Sequence, residues 1–282
     1  MATPAQPAVK TTQPKPEGKV NSTLSSLIVF ICLVLGVLIY MFILGNPSNF
    51  QGGSPDNEPV KDGVGHWFGL IHRGGVIVPI LIGLILINIS ISIERWITIS
   101  KASGKYSASE FVRKIRGFLN VNNIDGAIKE CDVHQGSIAN IVKSSLNKYK
   151  EMENNTSMDL EQKELSIQKE VEESTNLEMP MLEKNLVIIA TLTSVSTLVA
   201  LLGTVIGMIK AFSALGSAGG SVDAAALSSA ISEALINTAL GIGNAAVATI
   251  LYNVFTTRID KLTYAIDEAG YSIVQTFAAK HR

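Results

Sequence analysis

Threonines, a lysine and a glutamate fall in or at the edge of two stretches of this chain that are otherwise almost wholly apolar. Thr193, Thr197, Thr204 and Lys210 belong to the first stretch, and Glu233, Thr238 and Thr249 to the second. Between Lys184 and Lys210 lie 25 uncharged residues, and between Glu233 and Arg258 lie 24. Either run can cross a hydrocarbon layer of roughly 30 Å at a helical rise of about 1.5 Å per residue. A helix surrounded by lipid has no use for hydroxyls, so something polar is faced. A hydroxyl donates one hydrogen bond and accepts others, which suits a polar wall around a partner helix. The competing reading is close packing. Gly203 and Gly207 form a GxxxG pair, and a threonine can satisfy itself on its own helix backbone.

Register sharpens the first reading. If the Gly/Ser/Ala link around Gly216 to Ser221 makes the two helices antiparallel, Lys184 and Arg258 mark the same membrane face. Thr204 lies 20 residues after Lys184 and Thr238 lies 20 residues before Arg258, so both hydroxyls sit at one depth. At about 100° per residue, Thr193, Thr197, Ala200 and Thr204 share a stripe. Thr238, Gly241, Ala245, Thr249 and Thr256 share another. By the same count Lys210 and Glu233 lie at nearly one depth, where they can pair, or separately snorkel and cap. A self-sufficient transporter is disfavoured, because no ionisable residue lies mid-membrane and Glu233 is off-centre.

The strings LLGTVIGMIKAF (Leu201 to Phe212), ISEALINTALGIG (Ile231 to Gly243) and YNVFTTRID closely resemble the MotA/TolQ/ExbB family of proton-channel proteins, its ExbB branch most of all. The resemblance is strong from Glu183 to Glu268 and looser from Gly75 to Ser100. The chain departs from the family at Ser196-Thr197 and at Val247, where relatives often carry proline. The resemblance implies a ring, a pentamer around two copies of a single-span ExbD-like partner, working with a TonB-like protein. It further implies that the partner helix carries an aspartate that gains and loses the proton. Thr204 and Thr238, with Thr193, Thr197 and Thr249, would line that path. Glu233, Lys210, Gly203 and Gly207 would be structural or coupling residues. No cofactor is implied beyond protons as the driving ion. A TolQ-like or MotA-like motor subunit is the alternative, and a structural membrane scaffold is the alternative from another class.

The elements that must hold these residues follow from composition. The chain has 282 residues, 47% of them apolar, and a net charge of -1 that hides strong segregation. Of its 47 charged side chains, 27 fall between Arg95 and Lys184, marking a water-exposed domain. No basic patch with interleaved aromatics points to nucleic acid, and no nucleophile, phosphate loop or ligand-spaced His/Cys cluster points to an enzyme or a metal. Cys32 lies in an apolar run and Cys131 in the charged domain, which implies two separate small fillers and no disulfide. His66, Trp67 and His72 read as an interfacial belt.

The fold expected is all-α: a polytopic membrane protein with four spans, a helical cytoplasmic domain and a ring-forming oligomer. Residues 1–22 are expected as a disordered cytoplasmic tail, 23–45 as the first span and 46–74 as a periplasmic loop. The second span is 75–95, the helical cytoplasmic domain 96–184 and the third span 185–214. A periplasmic turn at 215–225, a fourth span at 226–257 and a cytoplasmic tail at 258–282 complete the chain. Lys10, Lys15, Lys19, Lys101, Lys105, Arg258 and Lys261 place both termini in the cytoplasm, and the resemblance implies that the membrane is the inner membrane of a bacterium.

Overall fold

In the computed structural model, residues 22–55, 57–217 and 224–281 are described. Apart from Ser22, the tail expected at 1–22 lies outside them, as does most of the turn expected at 215–225. Among the described residues the nine main elements are all α-helices and no strand occurs. Four helical stretches are long and apolar enough to cross a membrane: Leu27–Leu44, Gly75–Ala102, one within Leu160–Gly216 and one within Ala224–His281.

Helix α1 (Ser22–Leu38) continues as a π-helical turn to Leu44. The loop after it is ordered by its own polar side chains. Asn46 caps a short 3-10 turn, and Asn49 donates through Nδ2 to the carbonyls of Ile43 and Leu44 at 2.7 and 3.0 Å. Helix α2 (Val64–His72) folds back so that His72 stacks on Tyr40, ring centroids 4.5 Å apart. Helix α3 (Val78–Ala102) then packs along α1, with Gly36 and Gly83 bringing the backbones together. It runs seven residues past the expected boundary at 95, because the apolar positions Ile99 and Ala102 remain buried beyond the charged Glu94-Arg95.

The charged region folds as α4 (Ala108–Asn120), α5 (Ile124–His134), α6 (Ser137–Asn154) and α7 (Leu160–Glu183). Side-chain caps start three of them: Ser107, Asn123 and Asp159, the last in a full capping box with Gln162. Helices α8 (Leu186–Ser217) and α9 (Ala224–His281) complete the chain. The segment 258–282 is not the separate tail expected. To His281 it is the unbroken continuation of α9, and Ala265, Ile266, Ala269, Ile273 and Phe277 are buried against α4 to α7. The cause is periodicity: these apolar residues recur every three or four positions on one face, so the span and the domain core share one rod. Tyr149 of α6 meets Phe277 edge to face at 4.9 Å.

Cys131 lies in this domain core and Cys32 in the membrane cluster. Burial pushes the Cys131 thiol up to about 12. His134 is fully buried, stacked on Phe111 at 4.3 Å, and neither ring nitrogen has a partner. Burial holds its pKa below the ordinary value, against the attraction of Glu130 and Glu110 and together with the repulsion of Lys114. The folded state therefore prefers the neutral ring. Its contribution to stability is complete above about pH 6.5 and is lost as the pH falls below that, by up to about 1.4 kcal/mol per pH unit. Taking the protein from pH 7 to pH 5 is expected to lower the unfolding midpoint of this domain by several degrees, and His134→Phe to remove most of that acid step. Equal acid sensitivity in the two proteins would assign the step elsewhere.

Candidate functional site

Helices α8 and α9 form the most extensive helix pair, and glycines set their distance. A side-chain carbon on Gly203 would come within 2.8 Å of Asn237 Cβ, and one on Gly207 within 2.8 Å of Ala234 Cβ. Gly241 admits Ala200 and the Ser196 carbonyl from the other side. The small residues thus do the packing. With the backbones that close, the threonines on the adjoining face are brought into register. Thr204 Oγ1 lies 2.5 Å from Thr238 Oγ1, and Thr193 Oγ1 lies 3.4 Å from Thr249 Oγ1. The two pairs are eleven residues apart on each helix, about three turns, which is the antiparallel register.

Proton counting shows what the closer pair can do. Thr204 Oγ1 also lies 3.1 Å from the Ala200 carbonyl, and Thr238 Oγ1 3.0 Å from the Ala234 carbonyl. Three hydrogen bonds are drawn between groups that hold two protons, so only two can be donated at once. The pair can therefore rearrange without breaking helix backbone bonds. It can accept from a protonated acid, or turn a hydroxyl outward to donate to an ionised one. Thr197 donates to the Thr193 carbonyl at 3.0 Å and Thr249 to the Ala245 carbonyl at 2.9 Å; Thr197 and Thr249 are exposed on the isolated subunit, while Ala245 is buried.

Toward the Glu233 end of the pair, Lys210 Nζ meets Glu233 Oε1 at 2.6 Å. The lysine is half exposed and the glutamate side chain only 13% exposed, so the two experience different solvents. A cycle of Lys210→Met, Glu233→Gln and the double variant is expected to show coupling of about 0.5–1 kcal/mol in oligomer stability, discounted for the exposed lysine. Simple additivity would leave two independent charges.

Sequence reasoning missed a second polar layer. Asn88 of α3 donates through Nδ2 to Asn244 Oδ1 at 3.0 Å, and Asn244 Nδ2 donates to Ser196 Oγ at 2.8 Å. All three side chains are buried, so one hydrogen-bonded chain ties α3, α9 and α8 inside the hydrocarbon region. Ser196 serves here as an acceptor. The signal was present in the apolar run Gly74 to Ile93, whose Asn88 and Ser92 stand four residues apart on one helix face.

Residues 134–268 match the model of the MotA/TolQ/ExbB proton channel family. A relative from Synechocystis sp., the putative biopolymer transport protein ExbB-like 3, is 33% identical over 87 residues. That alignment takes in 30% of this chain, and the chain spans 41% of the length of the relative. The matched segment contains the glycine-packed α8/α9 pair, both threonine pairs and the part of the domain core that α6 and α7 supply. Over residues 134–268, just under half of its length, the chain is similar to the MotA/TolQ/ExbB proton channel family.

Proposed function

We propose that the chain is an ExbB-like subunit of a proton-driven motor in the bacterial inner membrane, with both termini cytoplasmic, that energises TonB-dependent outer-membrane transport. It acts as a homo-oligomeric ring, a pentamer, around two copies of an ExbD-like single-span partner, and passes work to a TonB-like protein. The proton is the driving ion; no cofactor and no enzymatic step enter. The contact of Thr204 with Thr238 across the two motif helices is the observation that carries this reading. A carboxylate in hydrocarbon costs several kcal/mol unless it is neutralised or hydrogen-bonded, and this pair offers both a donor and an acceptor at one depth. The partner's acid supplies the proton site, and this chain supplies the wall against which its two protonation states differ.

The test is purification with and without a co-expressed single-span partner, followed by proton flux in liposomes. A defined complex that conducts protons is expected, and the identity of the partner separates the ExbB role from a TolQ-like or MotA-like one. A second reading, a membrane scaffold, is favoured by the carbonyl bonds that Thr197, Thr204, Thr238 and Thr249 make within their own helices. A stable complex with no proton flux would select the scaffold.

A further inference from the structure

The turn between α2 and α3 reaches the Lys210–Glu233 pair from the side. Gly75 has φ +74°, and a side-chain carbon built there would collide with the Glu233 carboxylate. The carboxylate thus lies directly against bare backbone. One residue earlier, the Gly74 carbonyl accepts from Asn237 Nδ2 at 2.9 Å, and Asn237 is fully buried one turn along α9 from Glu233. The turn is in turn tied to the first span. Tyr40 donates its phenolic hydrogen to the His72 carbonyl at 3.1 Å and stacks on the His72 ring, and Gly69 packs on the Asn49 carbonyl.

We propose that the turn from His72 to Gly75, held by Tyr40, is a positioning element for Glu233, acting through Gly75 and Asn237 to aim the carboxylate at Lys210. A glutamate side chain has three rotatable bonds, and burial of its stem does not choose among them. A wall of backbone on one side and an ammonium on the other does. Gly75 is required twice over: for a left-handed backbone that other residues avoid, and because any Cβ would push the carboxylate away. The assignment gives the first span, through Tyr40, a task at the α8/α9 pair. It rests on Glu233 belonging to the coupling machinery, but its test needs no proton flow.

A water-soluble carbodiimide activates a carboxyl as an O-acylisourea. A lysine amine in contact then displaces the urea and forms an amide, so the yield of the Lys210–Glu233 amide, read by mass spectrometry on the assembled protein, reports how the carboxylate is aimed. The wild type is expected to cross-link. Gly75→Ala is expected to lower the yield about fivefold, a factor that corresponds to roughly 1 kcal/mol. Gly53→Ala is the control: Gly53 has φ +75°, and nothing lies within 4 Å of its Cβ position, so it carries the same backbone strain without the contact. Its yield is expected to stay at the wild-type level. Wild-type yield in Gly75→Ala overturns the proposal, and so does an equal loss in Gly53→Ala. Should Gly75→Ala fail to assemble, Tyr40→Phe removes only the bond to the His72 carbonyl. A drop of about twofold is then expected, and an unchanged yield overturns the proposal.

Discussion

Thr204→Val and Thr238→Val are each expected to lower proton flux and energised transport about tenfold while leaving assembly intact. Valine keeps the shape of threonine and removes the hydroxyl, so helix packing through Gly203, Gly207 and Gly241 is preserved. A hydrogen bond to a charged group contributes roughly 1.5–3 kcal/mol, and about 1.4 kcal/mol is a factor of ten, which sets the size of the single effects. The double variant is expected to lose more than the product of the two. With one hydroxyl gone, the other no longer shares its proton across the 2.5 Å contact and can serve a partner's carboxyl alone. The measurement is flux in liposomes holding each variant with the proposed single-span partner, compared at equal complex content. Wild-type flux in both single variants would leave the threonines as packing residues, satisfied on the carbonyls of Ala200 and Ala234.

The depth of that pair was legible because two charged residues and a helical rise are enough to place a residue along a span. Lys184 and Arg258 gave the origin, and Thr204 and Thr238 fell at equal distances from it. Rotation was legible for the same reason, since one face of each helix is small and hydroxyl-bearing. What lay beyond reach was anything decided by a third element. Asn88 joins Asn244 and Ser196 only because α3 packs in the cleft between α8 and α9, and nothing in its local sequence names a partner 156 residues away. The run after Arg258 was read as a tail because charges signal the end of a span. They do not signal the end of a helix, and the apolar face that continues through Ile259, Leu262, Ile266 and Phe277 carries the rod into the domain core.

The triplet Glu94-Arg95-Trp96 shows the same limit from the other side, and the largest stability effect is expected there. Sequence marks it as a boundary; the structure makes it a joint among α3, α9, the end of α7 and the α7–α8 junction. Arg95 is 2% exposed, and its Nη1 donates to the carbonyls of Met181 and Leu182 at 3.1 and 3.3 Å. These belong to the last turn of α7, where no further helical N–H follows to occupy them. Asn185, at φ +64°, breaks the helix there, and its Nδ2 donates to Glu94 Oε2 at 3.3 Å. Glu94 pairs with Arg95 as well, and Trp96 lies under the Arg258 guanidinium of α9 at 4.0 Å. Replacing Arg95 by Met removes both carbonyl partners and strips Glu94 of its counter-charge, at about 3–5 kcal/mol for a broken buried charge network. Glu94→Gln should be far milder, below about 1 kcal/mol, because the Glu94 side chain is 40% exposed and reaches water. Asn185→Gly should be nearly neutral, since relief of the left-handed backbone offsets the lost amide bond. Thermal unfolding of the three variants in one detergent decides the matter. If Arg95→Met and Glu94→Gln unfold at the same temperature, the guanidinium serves the ion pair and not the end of α7.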